Sequence, residues 1–387
     1  MWLTIAPTSS RKAVARVVEV LVVAGDPSGD RHAADVVKAL KCRLPSARFV
    51  GLGGPQMQAA GVRTLAGLEE LAVMGFGEVV KRLEFFRELE RRIHELLLNA
   101  DLVVLVDFPG FNMRIARTAS AFGRPVLYYI PPKVWASRAS RAEELAKITD
   151  HIAVIFPFEV DALADVGADV TFVGNPLLDR PDTVSSRSDF HTRFDLDPDH
   201  PILAILPGSR EQEIKQHLQL FVNVAEMVTA SCPHVQPVIS KAEWLNDTLF
   251  EGLCIPVVED TRGLLRHARA GLVKSGTATL EAALEGMPFV VAYKTSSFSW
   301  AIVKRMLRVK YISLVNLIAR DSIVPEFIQG NACPQKIARH LIPLLDNTSS
   351  EYRKQISELP RVTSLLGSAG SAERVANLAV SLLRLKK

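Results

Sequence analysis

The chain has four cysteines, Cys42, Cys232, Cys254 and Cys333, and no Cys-x-x-Cys pair among its 387 residues. That excludes a disulfide scaffold and a thiolate zinc site, and the four read as small buried hydrophobes in a reducing compartment. No apolar run approaches the roughly 18 residues of a spanning helix. Met1 to Lys12 lacks the apolar centre of a secretory signal, so it reads as a loose extension and cytoplasm as the expected compartment. Charge of one sign is also missing. There are 46 basic against 42 acidic residues, a net +4, too small an excess to argue for nucleic acid, though it suits an anionic substrate or membrane surface. No Gly-x-x-x-x-Gly-Lys-Ser/Thr occurs, and Gly51-Leu52-Gly53-Gly54 falls short of the dinucleotide fingerprint. None of the nine histidines forms a His-Glu-x-x-His or comparable set.

What is present is an ordinary globular mixture, 48% hydrophobic and 23% charged, long enough for about two domains. Val17–Ala24, Asp101–Asp107, Pro125–Pro131, His151–Phe156 and Val170–Val173 are short apolar runs rich in β-branched residues. That pattern predicts strands buried on both faces. Arg48–Gly54 is a further strand closing on glycines. Helical patterns lie between, including Arg31–Leu44 and the strongly charged Lys81–Leu98. Asp179–Pro201 is polar and reads as a linker. The alternation then restarts with strands at Ile202–Leu206, Val235–Ile239, Ile255–Val258, Ala270–Val273 and Phe289–Tyr293. Pro334–Leu345 and Ser371–Leu385 read as helices. Strand–helix alternation of this kind predicts two parallel α/β sheets, each covered on both faces, with a ligand cleft between them. The expected domains are residues 17–180 and 200–345, with helices in 346–387 packing back across both.

Candidate site residues follow strands, where open α/β sheets bind ligands. Lys274-Ser275-Gly276-Thr277-Ala278-Thr279-Leu280-Glu281 reads as strand end, small-residue turn and helix start, a place where bare backbone N–H groups meet an anion. Thr277 and Glu281 are four apart on one helical face. A glutamate there can accept hydrogen bonds from two sugar hydroxyls, so the pair suits a phosphate and a ribose. An ordinary capped connection is the alternative. Gly208-Ser209-Arg210 adds backbone donors and a planar guanidinium that suits phosphate oxygens. Asp107 ends an apolar strand and is placed either to accept a proton from an attacking hydroxyl or to cap the helix that includes Asn112. Ser28-Gly29-Asp30 is a turn that contacts an acceptor or caps the next helix. Asp195-Leu-Asp197-Pro-Asp199 matches the Asp-x-Asp that holds a divalent ion against a nucleotide-sugar diphosphate, but it precedes a strand. Neither metal nor cofactor is expected.

One stretch has a membrane reading. Met74, Phe76, Phe85 and Phe86 put apolar bulk beside Lys81, Arg82, Arg87, Arg91 and Arg92. A basic helix with exposed aromatics lies on an anionic bilayer or accepts acyl chains. A helix with its apolar face in the core is the alternative.

Taken together and in order, these motifs resemble the lipid-A-disaccharide synthase family of inverting glycosyltransferases. The residues that carry the resemblance run from about Val20 to Leu345. They include Ala24-Gly-Asp-Pro-Ser-Gly-Asp30, Phe49-Val-Gly-Leu-Gly-Gly-Pro-Gln-Met57, Leu71-Ala-Val-Met-Gly-Phe-Gly-Glu78, Asp107-Phe-Pro-Gly-Phe-Asn112, Val134-Trp-Ala136, Leu206-Pro-Gly-Ser-Arg210, Ser275–Glu281, Tyr311–Leu317 and Val324-Pro-Glu326. The resemblance implies a GT-B fold, two Rossmann-like doubly wound domains facing across a cleft. It implies transfer of 2,3-diacylglucosamine from its UDP derivative to 2,3-diacylglucosamine 1-phosphate, giving a β-1,6 disaccharide 1-phosphate and UDP. It places UDP in the second half, with Arg210, Glu281 and Asn316 on the UDP side, the acceptor in the first half, and Asp107 as general base. It turns the Met74–Arg92 region toward acyl chains and the cytoplasmic face of the inner membrane, and it leaves a homodimer open. This sequence departs from the family at Asp26, Gly110, Ser137, Asn175, Val315 and Arg320-Asp321. Another UDP-sugar enzyme of the same fold, such as a UDP-N-acetylglucosamine epimerase or a different transferase, is the competing enzyme reading. A lipid- or nucleotide-binding protein without turnover is the third.

Overall fold

The computed structural model describes residues 17–67, 79–133, 139–295 and 310–385. The first sheet has seven strands, β1 (Glu19–Ala24), β2 (Arg48–Leu52), β3 (Arg63–Thr64), β4 (Leu102–Val106), β5 (Val126–Tyr129), β6 (His151–Val154) and β7 (Val170–Phe172). Their order is β3-β2-β1-β4-β5-β6-β7. The second has six, β8 (Ile202–Leu206), β9 (Gln236–Ser240), β10 (Val257–Val258), β11 (Ala270–Lys274), β12 (Phe289–Tyr293) and β13 (Glu326–Ile328). Their order is β10-β9-β8-β11-β12-β13. Every pairing is parallel.

The long apolar runs are the central strands. All five residues of β4 are fully buried, as are Val20–Ala24 of β1, because helices cover both faces of each sheet. Two strands that pattern reading missed, β3 and β13, have two and three residues and lie at or near sheet edges. Runs that short show no periodicity.

Each sheet reverses direction of winding at one place. In the first, the chain runs outward from β1 to β2 and β3, then crosses back to β4. In the second it runs from β8 to β9 and β10, then back to β11. A crevice opens above the carboxyl ends at such a switch point, since the two flanking connections leave on opposite faces.

Asp179–Pro201 is more than a linker. It holds the helix Arg187–Arg193, whose Phe190 is fully buried in the second sheet's core beside Phe194 and His267. A single apolar side chain per turn gave too little signal for a helix. The cysteines also differ from expectation. Cys42 and Cys254 are exposed and Cys232 and Cys333 half-buried, because each falls at or near an element end rather than on a core-facing position.

The chain passes between the sheets twice, and the two passages are joined. The amide of Asn175 donates to Leu366 O, and the carboxylate of Asp179 accepts from the amides of Gly370 and Ser371 and from Ser371 Oγ. Arg374 Nε donates to Val173 O at 2.8 Å. The helix Ser350–Ser364 packs on the second sheet through Leu359 and Val362. The final helix, Ser371–Leu385, returns to the first, where Val375, Ala376 and Ala379 join its core. There Arg43 of the helix Pro27–Arg43 pairs with Glu373 at 2.6 Å and donates to Asn377 at 2.7 Å.

Candidate active site

The carboxyl ends of β1, β4 and β5 carry Asp26, Asp107 and the Ile130–Lys133 turn. Two neighbouring strand ends here, those of β4 and β5, are strained. Asp107, Phe108 and Ile130 have φ of 49°, 47° and 58°, a left-handed conformation that non-glycine residues avoid, Ile most of all. Asp107 is held there by its neighbours. Its carbonyl accepts from Asn112 Nδ2 and from Tyr128 Oη, both at 2.8 Å, and its amide donates to Tyr129 O at 3.0 Å. The ring of Phe108 packs against Gly25, where any Cβ would fall 2.2 Å from it.

Asp107 is not a cap. The next helix starts at Pro109, its N-cap is Phe108, and no side chain caps it. The carboxylate therefore does not cap that helix, and its hydrogen bond comes from the amide of Phe108 beside it. Burial first, and then the charge of Asp26, push its pKa up to about 6, against the pull of Lys133, of the Phe108 amide and of Arg210 from the second sheet. A base poised near neutrality is suited to take a proton from a hydroxyl.

The turn before it is a cap. Asp26 accepts from the amide of Gly29 at 2.6 Å and from Ser28 Oγ at 2.8 Å. Asp30 is 1% exposed, and its carboxylate accepts from the amides of Gly54, Gln56 and Met57 at 2.7–3.0 Å. It holds the start of the helix Pro55–Ala59, whose own N-cap is a glycine without a side chain to do so. Asp30 and Gly29 are thus withdrawn from the acceptor side, and only Ser28 stays exposed there. A cap and a binding turn share the same residue types, so sequence pattern does not separate them.

At the second sheet's switch point, Gly208-Ser209-Arg210 follows β8 and Ser275-Gly276-Thr277 follows β11. Gly208 has φ +139°, and a Cβ on it would meet Glu213 at 2.6 Å. Glu213 organises this corner. Its carboxylate accepts from the amide of Ser209 at 3.0 Å and from Lys274 Nζ at 2.8 Å. Burial opposes its charge, but the Lys274 hydrogen bond and charge, the Ser209 amide and Arg210 outweigh burial, leaving its carboxyl below the usual range. Ser209 therefore lends its amide to Glu213, not to a ligand, while its carbonyl accepts from the indole of exposed Trp244 at 2.9 Å. Arg210 is exposed and has no acceptor among the described residues. His217, buried one turn further on, bridges Glu213 O and the amide of Lys294. Burial holds its pKa down, which suits a neutral ring that donates at Nδ1 and accepts at Nε2.

Ser275 Oγ donates to Ile312 O at 2.8 Å and so pins the 311–317 segment to the turn. Thr277 is exposed, and Gly276 has φ +154°. Glu281 lies half-buried one turn into the helix Ala278–Leu284 and pairs with Arg180 at 2.6 Å. Asn316 does not reach this surface. It is fully buried, with its amide oxygen accepting from Ile323 and Val324 amides and its nitrogen donating to Val324 O and Glu326 Oε1. With Glu326, which also accepts from Ile312 and Ser313 amides, it fixes the loop that Ser275 touches.

Of the membrane-facing candidates, Met74, Phe76 and the side chain of Phe86 lie outside the described residues. Phe85 packs with Leu89, Ile93 and Leu97 against the first sheet's core, so it is a core residue. In the helix Val79–Leu97 these four fall at i, i+4, i+8 and i+12, the inward stripe of an amphipathic helix. No helix among the described residues is long and apolar enough to cross a membrane. Asp195, Asp197 and Asp199 precede β8 and so lie toward the amino ends of the strands, away from Arg210 and Ser275 at the carboxyl ends. No cluster of metal-ligating side chains occurs among the described residues.

Sequence reading missed Glu213, Lys274, Arg180 and His32. His32 is half-buried in the first helix, edge-on to Tyr129, and burial followed by the charges of Arg31 and Arg180 lowers its pKa to about 4. Glu213 and Lys274 gave no signal because they meet across 61 residues.

The sequence model of the lipid-A-disaccharide synthetase family matches residues 20–380. A lipid-A-disaccharide synthase of Syntrophus aciditrophicus is 39% identical over 376 residues, covering 94% of this chain and 98% of that one. Among solved structures, a UDP-glucose: anthocyanidin 3-O-glucosyltransferase in complex with UDP superposes with a TM-score of 0.65 at 12% identity, covering 96% of this chain and 99% of that one. A putative UDP-N-acetylglucosamine 2-epimerase from Listeria monocytogenes superposes at 0.61 and 13% identity, covering 96% and 97%. The shared fold is GT-B, common to transferases and epimerases, so fold does not choose between them. The family match does.

Proposed function

This chain belongs to the lipid-A-disaccharide synthase family and is a glycosyltransferase, and we propose that it moves 2,3-diacylglucosamine from its UDP derivative to the 6-hydroxyl of 2,3-diacylglucosamine 1-phosphate. Asp107 takes the hydroxyl proton. The oxygen attacks the anomeric carbon from the face opposite the diphosphate, the carbon–oxygen bond to UDP breaks, and configuration inverts to β. Arg210 meets the diphosphate and stabilises its charge as it leaves. The Ser275-Gly276-Thr277 turn contacts phosphate oxygens, and Glu281 accepts from the ribose hydroxyls. Ser28 faces the acceptor. Asn316, Gly208 and Ser209 shape the donor site from behind.

The observation that supports this most is the carboxylate of Asp107, which caps no helix, held on a strained strand end at one switch point, within electrostatic reach of Arg210 at the other, which has no acceptor among the described residues. A base and an anion-stabilising cation on opposing sheets are what an in-line displacement between two sugars needs. Met74, Phe76 and Phe86, beside their cationic neighbours, are proposed to meet acyl chains at the cytoplasmic face of the inner membrane.

The test supplies both acylated sugars and follows UDP and disaccharide by mass spectrometry, with and without EDTA. The expected result is disaccharide formation insensitive to EDTA. Folded protein that yields no disaccharide, or that converts UDP-N-acetylglucosamine without an acceptor, overturns it.

A further inference from the structure

Glu281 is the residue on which the ribose contact rests, yet its own helix does nothing to aim it. Its Oε1 is held by Arg180 Nη1 at 2.6 Å, and Arg180 is its single polar side-chain partner among the described residues. Oε2 is left open. Both side chains line a pocket with Leu177, Thr261, Leu265 and Leu284. The next acid on the same helix, Glu285, is already committed to Arg262 and Arg266, so Arg180 has no competing role there. Side-chain exposures of 34% and 23% leave the pair shielded enough for the contact to restrict a rotamer, unlike a fully solvated pair.

Arg180 does not come from the second sheet. It follows the turn Pro176–Asp179, whose last residue accepts from Gly370 and Ser371 at the second passage between the sheets. Its charge also reaches His32 on the first sheet's leading helix.

The geometry points to Arg180 as the positioning residue of the donor site. It holds one carboxylate oxygen of Glu281 so that the other faces a vicinal diol, and it ties that orientation to the junction between the sheets. This rests on the reading of Glu281 as the ribose acceptor.

The test is calorimetric titration of the full chain with UDP and with 2′-deoxy-UDP. Glu281→Ala is expected to weaken UDP binding and to abolish the preference for UDP over the deoxy compound. Arg180→Ala is expected to weaken UDP about tenfold and to reduce the same preference, while Arg180→Lys retains part of both. The double variant is expected to bind no more weakly than Glu281→Ala alone, since Arg180 acts through Glu281. An Arg180→Ala protein that binds UDP like wild type, or an equal loss from Arg180→Ala in the Glu281→Ala background, overturns the assignment. Arg180→Lys with unchanged melting but wild-type affinity and preference also counts against it, should Arg180→Ala not fold. If Glu281→Ala itself leaves UDP binding and the preference unchanged, the ribose reading fails first and the positioning role falls with it.

Discussion

Asn112 Nδ2 lies 2.8 Å from the carbonyl of Asp107, five residues back, and closes the turn that puts Asp107 at φ 49°. Asn112 is fully buried, and the same nitrogen lies 3.3 Å from the carbonyls of Val23 and Val106 at the ends of β1 and β4. One side chain thus ties both strands at the switch point to the proposed base. Asn112→Ala is expected to cost ~1–3 kcal/mol in denaturant unfolding, as buried carbonyls lose their donor. It is also expected to lower turnover well beyond its effect on UDP affinity, because misplacing a base by a fraction of an ångström slows proton transfer. Equal loss of kcat and UDP affinity would contradict this.

Asp107→Asn removes the proposed base and keeps the shape. Turnover is expected to fall ~10²–10⁴-fold with UDP binding intact. In the wild type, turnover should rise with pH through about 6, where the carboxyl ionises.

The same shift has a stability consequence with a definite sign. The folded pKa of Asp107 is raised above the unfolded value of 3.8, so the native state holds its proton longer and the group costs stability as pH rises between those two values. Asp107→Asn is expected to melt higher than wild type at pH 7 and equally at pH 3.5. A lower melting temperature at pH 7 would show that the carboxylate has a structural partner.

At the other switch point, Gly208→Ala is expected to weaken UDP binding at least tenfold and to destabilise, since the added Cβ strikes Glu213 and φ is +139°. Glu213→Gln keeps the volume but loses the charge that Lys274 and the Ser209 amide satisfy. Because the carboxyl of Glu213 lies below its usual range, its contribution is present at neutral pH and lost as pH falls through the folded value. The stability difference between wild type and Glu213→Gln, measured by urea unfolding, should therefore shrink as pH falls below the ordinary carboxyl value of 4.5.

Glu326→Ala is expected to release the 311–317 segment, since its carboxylate accepts from Ile312, Ser313 and Asn316. Hydrogen exchange of the Ile312 and Ser313 amides should rise severalfold, with a smaller loss of UDP affinity. Unchanged exchange would mean that the Ser275–Ile312 contact alone holds the segment.

Much of the fold was legible because both sheets are parallel and buried on both faces. Such strands are continuous apolar runs, and Val20–Ala24, Leu102–Val106 and Ile202–Leu206 stand out without any structure. The short edge strands β3 and β13 and the helix around Phe190 were not legible, since each depends on neighbours more than on its own few residues. The site divided in the same way. Asp107, Arg210 and Glu281 follow strand ends, so their position could be read. The roles of Gly29, Asp30, Asn316 and Phe85 could not. A buried aspartate that receives three amides and one that faces solvent are the same letter in the same kind of turn.

The amino-acid sequence by itself determined the alternation of strands and helices, the two sheets and the family, because these rest on local patterning and motif order. Tertiary structure alone decided which strand ends are neighbours. β1 lies beside β4 and β8 beside β11, which brings Asp26 to Asp107 and Lys274 to Glu213, and it delivers Arg180 from the passage between the sheets to Glu281. Those contacts span 61 to 101 residues where a hydrogen bond records them. Parallel pairing forces a crossover between partners, and nothing in the spacing along the chain encodes which side chains then meet.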